Sequence, residues 1–147
     1  MHIRILIATL ILLLPVCASA QIGYWKVAPE YNSITKISPE LYRVEKSGLY
    51  GLLGKDGKTI VPCQYEIKQD VVENRCLLLS SNHRLKAIYD GNGNLIKQFE
   101  DREIWYVDPD YPYYSDGVIA VSDNTGRWTY MDRTGALSSK KIGRAHV

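Results

Sequence analysis

Histidine is nearly missing from this chain. It occurs three times in 147 residues, and only His83 lies away from the two ends. Neither a His-centred triad nor a His-rich zinc site can be assembled from that supply. A sustained helical apolar period is also missing after residue 20, which excludes a helical or α/β core. A basic excess is missing too. The formal charge is +2, but setting aside Arg4, Lys140, Lys141 and Arg144 leaves 14 basic residues against 16 acidic ones, or −2. No basic stripe survives, so the expected partners include no nucleic acid.

The one long apolar run is Ile5 to Val16, twelve residues behind a short positive start at Arg4. It is too short to span a bilayer, which takes about 20 apolar residues. Ala18-Ser19-Ala20 follows with the small-x-small pattern of signal-peptide cleavage. Residues 1–20 thus read as a signal peptide cleaved after Ala20, giving a secreted or periplasmic chain with no transmembrane segment in its mature part. Lipoprotein anchoring through Cys17 is the alternative, and bulky Val16 argues against it. At the other end, residues 139–147 read as a non-native junction or a disordered tail.

The mature cysteines are Cys63 and Cys76. Export permits a disulfide between them. Two buried, reduced thiols are the other reading, and Cys63 after Pro62 falls where a core-facing residue is expected.

Residues 21–40 form an N-terminal segment punctuated by Pro29 and Pro39, and residues 41–138 carry the strand signals. Leu41-Tyr42-Arg43-Val44-Glu45 is rich in β-favouring residues and runs into Ser47-Gly48. Further apolar stretches alternate with Lys55-Asp56-Gly57-Lys58, Ser80-Ser81-Asn82-His83, Asp90-Gly91-Asn92-Gly93 and Asp123-Asn124-Thr125-Gly126. Such polar, glycine-bearing clusters between apolar runs are hairpin turns. Three stretches align with one another: 50–57, 86–93 and 128–135, their closing glycines 36 and 42 residues apart. That spacing signals a repeat architecture. The fold class is all-β: tandem antiparallel β-hairpin repeats, about three units, packed into one small domain.

These units resemble the WG-repeat (KWG-like) family, in which a Trp-Gly pair and a turn ending in glycine recur about every 35 to 45 residues. Gly48-Leu49-Tyr50-Gly51-Leu52, followed by Asp56-Gly57-Lys58, is the best match, and Asp116-Gly117-Val118-Ile119-Ala120-Val121 with Gly126-Arg127-Trp128 comes next. The signature pair is degenerate, standing as Tyr50-Gly51, Lys86-Ala87 and Trp128-Thr129. The middle copy departs furthest. The resemblance implies hairpin repeats in an exported bacterial protein without established activity.

Fragments of catalytic motifs turn out to be turns of this pattern. Ser33-Ile34-Thr35-Lys36, Ser122-Asp123-Asn124 and Arg133-Thr134-Gly135 name the boxes of a penicillin-recognising serine enzyme, but the last two fall on turns of one hairpin unit. Gly57-Lys58-Thr59 lacks the upstream glycine of a phosphate loop. Asp90, Asn92, Asn94 and Asp101 have a calcium-loop spacing, with Leu95 where glycine is needed, so a weak calcium site is the alternative to a plain turn. No catalytic residue and no cofactor is expected. The candidate binding residues are Trp105, Tyr106, Tyr111, Tyr113 and Tyr114, crowded beside Pro109 and Pro112 in the longer interval. Such rings stack on sugars or anchor proteins, or else fill the core between units. The expected function is an exported, non-catalytic module binding a protein or glycan at the bacterial cell envelope. Alternatives are an accessory fragment of an envelope hydrolase and a purely structural spacer.

Overall fold

The structure, a computed structural model, describes residues 30–141. The signal-peptide and Cys17 readings, and the last six residues, lie outside them. Twelve strands and no helix make up the described chain. It is all-β, as the turn pattern predicts, and among the described residues no helix is long and apolar enough to cross a membrane.

The strands form three antiparallel sheets of four, each built from consecutive strands. The first contains β1 (Ser33–Lys36), β2 (Leu41–Lys46), β3 (Leu49–Gly54) and β4 (Thr59–Tyr65). The second contains β5 (Val71–Val72), β6 (Arg75–Leu79), β7 (Leu85–Asp90) and β8 (Leu95–Gln98). The third contains β9 (Tyr106–Val107), β10 (Val118–Ser122), β11 (Trp128–Asp132) and β12 (Leu137–Lys141). The aligned stretches 50–57, 86–93 and 128–135 are the third strand and following turn of each sheet.

Two boundaries differ from the sequence reading. The N-terminal segment 21–40 contains β1, which pairs along its whole length with β2. All four residues of β1 are exposed, so no apolar alternation marked it. At the other end β12 runs past residue 138, and Lys141 pairs with Thr129. Its Ser-Ser-Lys-Lys sequence has weak β-propensity, and pairing with β11 makes it a strand.

Two turn chemistries repeat. The two-residue turns Ser47-Gly48, Glu73-Asn74 and Asp116-Gly117 hold both residues at positive φ, the conformation that matches strand twist. The longer turns begin at Gly54, Ser80, Asp90, Asp123 and Asp132. In each, the fourth residue donates its N–H to the carbonyl of the first. That fourth residue is Gly57, His83, Gly93, Gly126 or Gly135, all at positive φ. His83 (φ 61°) is the non-glycine of the set. Asp90, Asp123 and Asp132 fold their carboxylates over their own turns, each accepting the N–H groups two and four residues on.

The core lies between the sheets. Alternation along β6 sends Cys76 and Leu78 into one cluster with Leu52, Val61 and Ala87, toward the first sheet. Leu77 and Leu79 point the other way, into a cluster with Ile88, Ile119, Val121 and Met131 of the second and third sheets. The middle sheet is therefore buried on both faces, which explains its unbroken Cys76-Leu77-Leu78-Leu79 run. It is also the copy that departs furthest from the repeat signature. Ala87, where the first copy has Gly51, is buried in the cluster toward the first sheet. A lone hairpin is marginal in water, and mutual burial is what makes these units stable.

Each following sheet seats a turn glycine on the sheet before it. A Cβ on Gly93 would come within 2.5 Å of Ile60 Cδ1 and 3.0 Å of Leu41 Cδ2. On Gly135 it would meet Lys97 Cδ at 2.7 Å and Ile88 Cδ1 at 3.4 Å. Polar contacts fix the same junctions: Ser38 Oγ donates to Gly91 O at 2.5 Å, and Arg75 Nε to Arg133 O at 2.6 Å.

Candidate functional site

The aromatic segment of the longer interval divides into a structural part and an exposed part. Trp105 and Tyr106 belong to the first. Leu85 N–H donates to Trp105 O at 2.8 Å and Val107 N–H to His83 O at 3.0 Å, so the segment is stitched to the second sheet. Tyr106 and Val107 pair at the same time with Ser122 and Val121 of the third sheet. The backbone here is a bridge between two sheets, and the Trp105 ring packs half-buried against the core. Tyr114 is also core. It is 3% exposed, and its hydroxyl donates to Asp132 O at 2.8 Å. Burial pushes that hydroxyl up to about 12. Tyr114 is thus a core residue, and the backbones of Trp105 and Tyr106 join two sheets with their side chains half-buried.

Tyr111 and Tyr113 remain as surface groups, 75% and 50% exposed. The loop presenting them is held locally. Asp108 accepts the N–H of Asp110 on its side chain (2.9 Å) and that of Tyr111 on its carbonyl (3.2 Å), while Pro109 and Pro112 restrict φ on either side. Its far end is clamped by Glu73, whose carboxylate accepts the N–H groups of Asp116 and Gly117 and the Arg133 guanidinium at 2.7 Å. The Arg133 hydrogen bond, with those of the two amides, holds the Glu73 carboxyl below its usual value. Behind Tyr113 lies a recess of about 350 Å³, bounded by Pro109, Pro112, His83 and the second sheet's Arg75.

The calcium spacing does not come together as a site. Asp90 Oδ1 accepts Asn92 and Asn94 N–H, and Oδ2 accepts Asn94 Nδ2 at 2.9 Å, so the carboxylate is engaged by its own turn. Asp101 points instead to Arg84 and Lys86, at 3.7 and 3.5 Å. Among the described residues no group of three His, Cys, Asp or Glu side chains is placed to hold a metal ion. The disulfide reading is corrected as well. Cys63 and Cys76 are free thiols. Cys76 is sealed between the first two sheets, where burial raises its thiol to about 12, and Cys63 Sγ turns to Val44 O at 3.8 Å. The Ser-x-x-Lys fragment is β1 of the first sheet, whereas the other two boxes lie on the third.

One polar group stands apart. Gln69 is 1% exposed, and its amide has no hydrogen-bond partner, although its backbone carbonyl accepts Arg43 Nη1 at 2.6 Å. Comparison of the chain with protein-family models, with curated proteins and with solved structures found no match.

Proposed function

We propose that this chain is an exported, non-catalytic β-repeat module, of the WG-repeat kind, that engages a protein partner at the cell envelope through its 108–113 loop. The observation that carries the reading is the pair Tyr111 and Tyr113, exposed on a loop whose backbone is already fixed. Tyrosine brings large contact area at low conformational cost, and a preformed loop avoids the entropy of ordering on binding. The signal-peptide pattern of residues 1–20 supports export. Tyr114 fills the core and Trp105 packs against it, and Tyr111 and Tyr113 are the most exposed rings of the segment, which makes these two the anchors of the reading.

A photo-reactive amino acid placed at Tyr111 in exporting cells tests this. The expected result is a discrete cross-linked product, lost when Tyr113→Ala is added. A cross-linker at exposed Leu95, on the second sheet, is the control. Identical products from both positions would refute the reading, and the spacer alternative would then account for the loop better.

A further inference from the structure

A larger cleft, of about 590 Å³, opens between the first and second sheets, away from the tyrosine loop. Its volume falls within the roughly 300–1,000 Å³ of small-ligand sites. We propose that this cleft binds a neutral saccharide, gripped between Tyr65 and Tyr89 and hydrogen-bonded by Gln64, Gln98 and Glu66.

The backbone of β4 builds one wall. Tyr50 pairs with Tyr65 and Leu52 with Val61, so residues 62–64 stand opposite Gly51 alone. This bulge carries Gln64 and Tyr65 to the cleft. From the second sheet come Tyr89 and Gln98, with Leu78 and Ala87 as an apolar floor beside Val61. Tyr65 and Tyr89 are both half-buried at the inter-sheet core, which fixes their rings. Burial, then the neighbouring Tyr65, raises the Tyr89 hydroxyl above its ordinary value, so it stays a neutral donor.

The chemistry of the lining selects the ligand. The side chains of Gln64, Gln98, Glu66, Tyr65 and Tyr89 make no hydrogen bond to other described residues. Amide, carboxylate and phenol groups together offer both donors and acceptors, as a polyhydroxylated ring requires. Glu66 and Asp101 outnumber Lys86, whose ammonium already lies 3.5 Å from Asp101, which disfavours an anion. An added peptide strand is disfavoured too, because Pro62 and the bulge interrupt the β4 edge. Apolar ring faces inside a polar rim remain, and a sugar has that surface.

The test is calorimetric titration of the folded protein with hexasaccharides of α-1,4-glucose, β-1,4-glucose and β-1,4-N-acetylglucosamine. At least one is expected to bind with Kd between about 10 μM and 1 mM. Gln64→Ala with Gln98→Ala, both at exposed positions, should weaken it about tenfold or more at unchanged melting temperature. Tyr65→Phe, which keeps the ring, should weaken it several-fold and stands in if the double variant fails to fold. No heat from any of the three at about 10 mM would overturn the proposal, as would unchanged affinity in these variants. Tyr113→Ala should leave saccharide affinity intact. An equal loss there would move the sugar to the loop and also refute the cleft, independently of whether the loop binds a protein.

Discussion

Replacing Gly51 with alanine separates two reasons for using glycine. Gly51 is absent from the positive-φ positions, so its conformation suits any residue. Space is what it lacks. An added Cβ would stand 2.5 Å from Val61 O, 2.8 Å from Cys63 N and 2.8 Å from Pro62 C, all backbone atoms of the β4 bulge. No rotamer change relieves such contacts, so strand and bulge must move apart. Overpacking of this kind costs about 1–3 kcal/mol, and rigid backbone neighbours place the cost near the upper end. Alanine recovers about 0.5–1 kcal/mol of the entropy penalty of glycine in a strand. The net expectation is destabilisation by about 2 kcal/mol, or roughly 8–16 °C in melting temperature for a domain of this size. Gly126 is the converse case: its φ is 79°, and nothing lies within 4 Å of an added Cβ. Gly126→Asn, which tolerates that φ, should therefore cost well under about 1 kcal/mol. Urea unfolding followed by tryptophan fluorescence measures both. Gly51→Ala within about 0.5 kcal/mol of the parent would refute the close-approach account. The variant should also weaken saccharide binding, since the displaced bulge carries Gln64 and Tyr65.

Other expectations follow from single groups. Tyr114→Phe should cost about 1 kcal/mol, because Asp132 O loses its buried hydroxyl donor while the ring still fills the core; equilibrium unfolding checks this. His83→Gly should stabilise by about 0.5 kcal/mol, since histidine there occupies a glycine conformation at φ 61°. Thermal melts that show a loss would refute that. Asp123 sits at about 2, held down first by Thr125 and then by the amides of its turn. A depressed carboxylate stabilises above its unfolded value of about 3.9, and the contribution is lost as pH falls toward about 2. Asp123→Asn should therefore melt below the parent at pH 7 and converge with it near pH 2; a constant gap across that window would contradict the turn-capping role.

The strands that carry apolar alternation and the turns that carry glycine were legible in the sequence, because both signals are local. β1, β5 and β9 were not. Each is short, and partners supplied from elsewhere define it: Val71 and Val72 are a strand because Cys76 and Arg75 pair with them. The aromatic segment shows the same limit. Composition put five rings there, but whether a ring faces core or water depends on where two sheets meet. Tyr113 and Tyr114 are neighbours in sequence with opposite fates. The cleft residues were the least legible. Gln64 and Gln98 are distant in sequence, and only the stacking of two sheets brings them to one cavity.

The two-sided burial of the middle sheet has a consequence for how the molecule opens. An array whose units met only at their rims could shed one end while the rest stayed closed. Here Cys76 and Leu78 lose contacts if the first sheet departs, and Leu77 and Ile88 if the third does, so the middle sheet is left bare on one face either way. Amide protons of β6 and β7 should exchange only through full unfolding, and those of exposed β1 far sooner. Loss of either outer sheet would also bare a leucine-rich surface able to capture another chain. The sheet farthest from the signature is thus the one on which solubility depends.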